Sequence, residues 1–234
     1  MSTPNRHYHT VIFDVGGTLV GFEDDAPFAE FLARVSPPYR FTSASELRLS
    51  MLYTLSARRH EAIGMVDDNE INNWWRTIFD SLFPDNTMAA LHMWELFKHS
   101  YFDSLFPDTL PVLQLLRERG VPMGVVSNYG AHLIYTLYKL NIYDYFKFVI
   151  VSSLVGVAKP DLGIFELAIS KAETTPDQLL YVGDNVTDDI EGARQAGIDA
   201  ILINRPGRTP ATAPIVISSL LELERFIFPN AEET

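Results

Sequence analysis

Four polar side chains that could act together in catalysis follow apolar runs at separate places in the chain. Asp14 follows VIF and Ser127 follows MGVV. Asp184 follows LLYVG, and Lys159 lies in GVAKPD, a short loop after FVIVSS. A carboxylate before a glycine-rich turn can attack an electrophile while backbone N–H groups of the turn bind its oxygens. A second carboxylate can share a hard cation such as Mg²⁺, and a lysine can neutralise charge that develops during transfer. This combination predicts phosphoryl transfer through an aspartyl-phosphate on Asp14.

The elements that must position these side chains alternate along the second half of the chain. After residue 106, helix patterns such as DTLPVLQLLRERG alternate with apolar strand patterns such as VPMGVVSN, KFVIVSS and QLLYVGDN. This order predicts a parallel sheet with helices on both faces, which VIF would join. The carboxyl ends of parallel strands meet at one edge, where open α/β sheets bind their ligands.

Residues 21–106 have a different pattern. Four segments in this block carry apolar residues at helical spacing, and strand patterns are almost lacking. Trp74, Trp75 and Trp94 lie here, and we expect them to pack the helices against one another. The sequence therefore predicts a helical domain at 21–106, inserted into an α/β domain made of residues 1–20 and 107–234.

Composition limits the partners. The chain has 234 residues, no cysteine and a formal net charge of −12. Nucleic acids and anionic membranes bind clusters of Lys and Arg, so neither is an expected partner. No run is long enough to cross a membrane and the first residues lack an apolar signal core, which favours the cytoplasm. An anionic substrate would then need a local positive centre.

The order of these motifs resembles a known family. D-x-x-G-T-L at Asp14 is followed by Ser127-Asn128, by Lys159-Pro160, and by G-D-N-x-x-D-D at Asp184. This order is similar to that of the haloacid dehalogenase superfamily of hydrolases, in the branch that inserts a helical cap after the first motif. The resemblance spans nearly the whole chain, and four motifs in order are a far stronger signal than one. It implies a three-layer, Rossmann-like α/β core with a parallel sheet and an inserted α-helical cap.

The resemblance also implies roles for single residues. Asp14 would be the nucleophile and a metal ligand, and Gly16 would offer its backbone carbonyl to Mg²⁺. Gly16, Gly17, Thr18, Ser127, Asn128 and Lys159 would surround the phosphate, with Ser127 and Lys159 also assisting catalysis. Asp184 would bind the metal, supported by Asp188 or Asp189, of which Asp189 is the one we assign. The implied substrate is a small phosphorylated metabolite.

Gly16 departs from the family pattern. Phosphatases of this family carry a second Asp there, which protonates the leaving group, a role that contributes about 10²–10⁴-fold. Dehalogenases, phosphonatases and inactive members tolerate other residues. A dehalogenase uses no metal and has small neutral residues where this chain has Asp184, and a phosphonatase needs a cap lysine, whereas Lys98 is the first lysine. A metal-dependent phosphatase with a weakened acid step is therefore the leading hypothesis. A 2-haloacid dehalogenase and a weak phosphate-binding member are the alternatives.

The remaining polar groups are expected to serve structure. Thr187 is a candidate helix cap ahead of Asp188 and Asp189. The acids at 23–25 are expected to form a solvated turn, and NRPGR, with Arg205 and Arg208, is expected to be a surface turn. The six histidines show no metal-ligand spacing and are interpreted as structural or solvated. The sequence gives no indication of oligomeric state.

Overall fold

The structure is a computed structural model that describes residues 8–205 and 213–228. Its strands are β1 (Thr10–Phe13), β2 (Val20–Gly21), β3 (Ser104–Leu105), β4 (Met123–Ser127), β5 (Phe148–Val151), β6 (Leu179–Gly183), β7 (Asp199–Ile203) and β8 (Val216–Ile217). Its helices are α1 (Ala26–Arg34), α2 (Ala44–Arg58), α3 (Asp68–Leu82), α4 (Thr87–Lys98), α5 (Thr109–Glu118), α6 (Leu133–Lys139), α7 (Ser152–Val155), α8 (Leu162–Ala172), α9 (Gly192–Gln195) and α10 (Glu224–Ile227).

Six strands form one parallel sheet in the order β5-β4-β1-β6-β7-β8. β1 therefore lies between β4 and β6, and this arrangement places the ends of these three strands side by side. Asp14, Ser127 and Asp184 lie at those ends, so the order of the sheet brings together residues that are far apart in sequence. The predicted α/β fold with a parallel sheet is confirmed.

β1, β4, β5, β6 and β7 bury side chains on both faces of the sheet, which makes three layers. Val11 and Phe13 of β1 pack with residues of α5, α6 and the C-terminal segment, whereas Ile12 packs with residues of α8 and α9. Successive residues of a strand point to opposite faces, so an almost wholly apolar strand is what a sheet covered on both sides requires.

The four predicted helices of the block between β2 and β3 are present as α1–α4, hereafter the helical unit. They have a hydrophobic cluster of their own, in which Trp75 and Trp94 are buried, and Trp74 packs against it. The chain enters and leaves the helical unit through β2 and β3, which pair antiparallel. Among the described residues, no helix combines the length and the apolar character that crossing a membrane requires.

Arg205 corrects the expectation of a surface turn. The residue is only 7% exposed, its guanidinium pairs with Asp108 (Nη2–Oδ1 3.0 Å) and it lies over the ring of Phe106 at 3.6 Å. It also donates to the carbonyl oxygen of Thr18. Arg205 thus joins the end of β7 to the loop that follows Asp14, because a planar guanidinium can serve several acceptors and stack on a ring at once. Arg208 lies outside the described residues.

Candidate active site

Asp14 is buried at the end of the central strand and has two donors on one oxygen. Its Oδ1 accepts a hydrogen bond from Ser127 Oγ at 3.0 Å and from Lys159 Nζ at 2.8 Å. Burial raises the pKa of Asp14 to about 6; Lys159 acts in the opposite direction, and the charges of Asp189 and Asp184 add to the rise. The donors on Oδ1 orient the carboxylate so that Oδ2 is the oxygen left for a ligand.

Lys159 joins the nucleophile candidate to a second acid. Its Nζ lies 2.6 Å from Asp189 Oδ1 and 3.0 Å from the hydroxyl of Tyr181. Burial disfavours the ammonium charge, yet Asp14 and Asp189 together raise the pKa of Lys159 well above its ordinary value. A fully charged lysine is therefore held beside Asp14, where it can neutralise developing negative charge.

Asn128 holds the lysine loop in place. Its side-chain amide donates to the carbonyl oxygen of Lys159 and accepts from the Lys159 N–H, both at 2.8 Å. This two-way bridge ties the end of β4 to the loop beyond β5. It fixes the backbone from which the lysine side chain reaches Asp14.

The segment after β6 places the neighbouring acids Asp188 and Asp189 in different surroundings. Val186–Glu191 forms a π-helical turn, and Asn185, rather than the predicted Thr187, caps it by accepting from the N–H groups of Thr187 and Asp188. Asp189 is fully buried under the strand end, where its Oδ2 accepts from Asn185 N at 2.9 Å. A Cβ on Gly183 would lie 2.3 Å from that carboxylate, so glycine at this position permits the close approach.

Three carboxylates converge at this edge of the sheet. Oxygens of Asp14, Asp184 and Asp189 lie within 4.8 Å of one another. Hard carboxylate oxygens in such a cluster are ligands that Mg²⁺ and similar cations prefer, and the charges of Asp189 and Asp184 each add to the rise in the pKa of Asp14 that burial causes. The donor set therefore fits a divalent cation. Asp188 lies outside this set: it is bonded by Asn185 Nδ2 at 3.0 Å, and burial followed by the charge of Asp189 raises its pKa.

Arg59 reaches this cluster from the helical unit. Its two terminal nitrogens contact the two oxygens of Asp184, Nη2 to Oδ1 at 2.9 Å and Nη1 to Oδ2 at 3.1 Å. Two parallel bonds of this kind are the strongest form of a guanidinium–carboxylate pair. The helical unit thus places a cation against one of the three acids.

The loop after Asp14 has an unfilled position at Gly16. A Cβ built there would have no atom of the described residues within 4 Å, and the backbone of Gly16 is not left-handed. Gly17 does need glycine, because its φ is 84°. The N–H of Gly17 bonds to Val20 O and that of Thr18 to Val15 O. A phosphate could use these two groups only by sharing those bonds, and the Thr18 side chain is fully buried.

Two other predicted features lie apart from the cluster. Asp25 of the acidic run is bonded to Ser45 and Arg48 within the helical unit. His132 packs between the rings of Tyr129 and Phe97, and burial lowers its pKa. Both arrangements fit structural roles.

Three contributions were missed from the sequence. Tyr181 interrupts an otherwise aliphatic strand, and a hydroxyl in such a run needs a partner when buried, which was a usable signal. Asn128 was expected to bind phosphate through its N–H, but the bridge from its side chain to the Lys159 backbone could not have been assigned, because Asn after a strand is common in loops. Arg59 had no signal, since a basic residue at the end of a helix is explained by the helix dipole alone.

Known proteins share this fold and sequence. The model of the haloacid dehalogenase-like hydrolase family matches residues 8–197. The chain belongs to this family. The resemblance inferred from the four motifs is therefore confirmed, and the chain is a hydrolase.

One curated relative and two solved structures are similar to this chain. A glyceraldehyde 3-phosphate phosphatase from Methanothermobacter thermautotrophicus is 30% identical over 196 residues, covering 83% of this chain and 84% of the relative. A HAD phosphatase structure from Thermococcus onnurineus has a TM-score of 0.61 at 26% identity, over 94% of this chain and 97% of that one. The L-2-haloacid dehalogenase RSc1362 has a TM-score of 0.67 at 22% identity, over 94% and 99%, which shows a shared fold.

Proposed function

We propose that this hydrolase is a Mg²⁺-dependent phosphatase that acts on a small phosphorylated metabolite through an aspartyl-phosphate at Asp14. The observation that carries the proposal is the cluster of Asp14, Asp184 and Asp189 around one point, with the Lys159 ammonium beside it. A relative named as a phosphatase, 30% identical over 83% of the chain, supports the same class of substrate.

The proposed nucleophilic step uses Asp14 and the two side chains that already contact it, Ser127 and Lys159. A carboxylate oxygen of Asp14 bonds to phosphorus, and the leaving oxygen departs with its electron pair and takes up a proton from water. Water then attacks the phosphorus of the aspartyl-phosphate, which releases inorganic phosphate and restores the carboxylate. Ser127 and Lys159 hold Oδ1 of Asp14 and face the charge of the transferred group, and the N–H of Asn128 would bind a phosphate oxygen.

The metal would be held by Asp14, Asp184, Asp189 and the carbonyl oxygen of Gly16. A bound divalent cation would neutralise the acids and polarise the phosphoryl group. Asp189 has a second task in this scheme, because its ion pair with Lys159 keeps the ammonium turned towards Asp14.

The acid step is the weak part of this proposed mechanism. With glycine at residue 16, the loop offers no side chain to protonate the leaving oxygen. We therefore expect good leaving groups, which need little protonation, to react best.

The helical unit would act as a cap. We propose a cap domain at 21–106 and a core domain at 1–20 and 107–234, because each has its own hydrophobic cluster and β2 and β3 are the two crossings between them. We place the reaction in the cytoplasm, where phosphorylated metabolites are retained by their charge.

A second candidate is a 2-haloacid dehalogenase. The objection to a dehalogenase is the repulsion between the carboxylates of Asp184 and Asp14 when no metal lies between them. The ion pair with Arg59 reduces this repulsion because it neutralises Asp184. A protein that binds phosphate without turnover is the third candidate.

One assay distinguishes the three. Release of inorganic phosphate from 4-nitrophenyl phosphate should require Mg²⁺, stop in EDTA and disappear in Asp14→Asn. Halide release from a 2-haloacid in EDTA would instead establish the dehalogenase. Phosphate binding by calorimetry without turnover of a panel of phosphate monoesters would support the binding protein.

A further inference from the structure

Arg59 and Arg58 are neighbours in sequence with different partners. Arg58 stays within the helical unit, where it binds Glu61 and both the hydroxyl and the carbonyl of Thr77. Arg59 crosses to the core and holds both oxygens of Asp184, whose side chain is 3% exposed, while its own side chain remains 45% exposed. One end of this pair is thus fixed and buried, and the other can leave towards solvent.

The carboxylate that Arg59 holds is one of the three that would bind a metal ion. In the observed geometry the guanidinium bonds both oxygens of Asp184, so a cation bound to either oxygen would share that oxygen with a second positive charge. The charges of Asp14 and Asp189 also act on Arg59. A divalent cation among these acids would therefore repel the guanidinium as well as compete for its partner.

We propose that Arg59 and the divalent metal ion compete for Asp184, so that the contact between helical unit and core at this point alternates with metal binding. The inference rests on the proposed function, because it assumes the metal site at Asp14, Asp184 and Asp189. In the metal-free protein Arg59 supplies the positive charge that Asp184 needs. Metal binding breaks the pair and frees the guanidinium at the half-exposed mouth of the site.

Other contacts between the helical unit and the core are independent of the metal site. Asp68 Oδ1 accepts from Ala131 N at 2.9 Å, and Lys139 Nζ donates to the carbonyl oxygens of His99 and Ser100. Because none of these contacts involves Arg59, we expect them to persist in a variant at Arg59, which therefore tests the competition without detaching the helical unit.

The test is the affinity for Mg²⁺ itself, measured by isothermal titration calorimetry on the full chain without substrate. Arg59→Gln should bind Mg²⁺ about 5- to 150-fold more tightly than the wild type, the usual range of coupling between two binding events. Arg58→Gln is the matched control, since it removes an equal charge one residue away, whose bonds to Glu61 and Thr77 stay within the helical unit, and it should leave the dissociation constant nearly unchanged.

The outcomes separate this inference from the proposed function. If the wild type binds Mg²⁺ and Arg59→Gln binds it no more tightly than Arg58→Gln does, the competition is refuted. Equal tightening in both variants would also refute it, because the effect would then be general charge rather than the pair with Asp184. If neither the wild type nor Arg59→Gln binds Mg²⁺, the metal site and with it the proposed function fail. Asp184→Asn, with weakened binding, verifies that the titration reports this site.

Discussion

Gly16→Asp should restore the proton donor that the site lacks. The structure permits the change at little conformational cost, because a Cβ at Gly16 meets no described atom within 4 Å and the backbone there is not left-handed. The new carboxyl group would lie two residues beyond Asp14 in the same loop. Glycine at this position is therefore required neither by packing nor by backbone conformation, and we predict that replacing it changes the chemistry rather than the fold.

The magnitude follows from the leaving group. A positioned general acid contributes about 10²–10⁴-fold where the leaving oxygen needs a proton. An alkyl phosphate leaves as a strongly basic alkoxide and should gain most of that factor in kcat, whereas 4-nitrophenyl phosphate leaves as a weak base and should gain little. We would measure steady-state phosphate release from glycerol phosphate and from 4-nitrophenyl phosphate with Mg²⁺. The ratio of kcat in Gly16→Asp to kcat in the wild type is then compared between the two substrates.

Gly16→Asn is the matched control for this experiment. Its side chain has nearly the same shape as Asp but cannot act as a carboxylic acid, so it should leave the turnover of alkyl phosphates unaccelerated. Equal acceleration of both substrates, or equal rates in the Asp and Asn variants, would refute the account of the missing acid.

Three further predictions concern the buried network. Lys159→Met should lower the free energy of unfolding, measured in urea, by about 3–5 kcal/mol, because Asp14 and Asp189 lose their buried cation. Adding Asp189→Asn to this variant should recover part of the lost stability. No recovery would contradict the ion-pair explanation. Because burial raises the pKa of Asp14 to about 6 from 3.8, the folded state binds this proton more tightly than the unfolded state, and stability falls as pH rises through that interval. In EDTA, the free energy of unfolding of Asp14→Asn should thus exceed that of the wild type by about 3 kcal/mol at pH 8, and the two should be equal below pH 4. A difference that does not depend on pH would refute this. Tyr181→Phe should lower the free energy of unfolding by about 2 kcal/mol, since the hydroxyl accepts from Lys159 and donates to Val126 O. An unchanged urea midpoint would show that the hydroxyl does not stabilise the fold.

The sheet and its edge could be predicted because local patterns carry them. Apolar runs ending in Asp14, Ser127 and Asp184 mark buried parallel strands, and parallel strands bring their carboxyl ends together whatever the distance in sequence. Spacing alone could not distinguish Asp188 from Asp189, since both follow within one turn. That distinction depends on the π-helical turn and on the absence of a side chain at Gly183, which lets Asp189 pass under the strand end.

The contacts that Arg59 and Arg205 make with other elements were beyond prediction. The pair of Arg59 with Asp184 joins residues 125 positions apart, and Arg205 was expected at the surface because its loop looks like any polar turn. Both arginines act through the docking of one element on another, which hydrophobic periodicity does not encode. The functional roles of the site residues remain predictions.

The most direct test of the central claim is whether phosphate becomes attached to Asp14. Rapid acid quenching during turnover of 4-nitrophenyl phosphate with Mg²⁺, followed by mass spectrometry of peptides, should find a phosphoryl group on the Asp14 side chain. It should be absent in EDTA and in Asp14→Asn. Steady phosphate release with no phosphoryl group on Asp14 at any quench time, or turnover that persists in Asp14→Asn, would contradict the account.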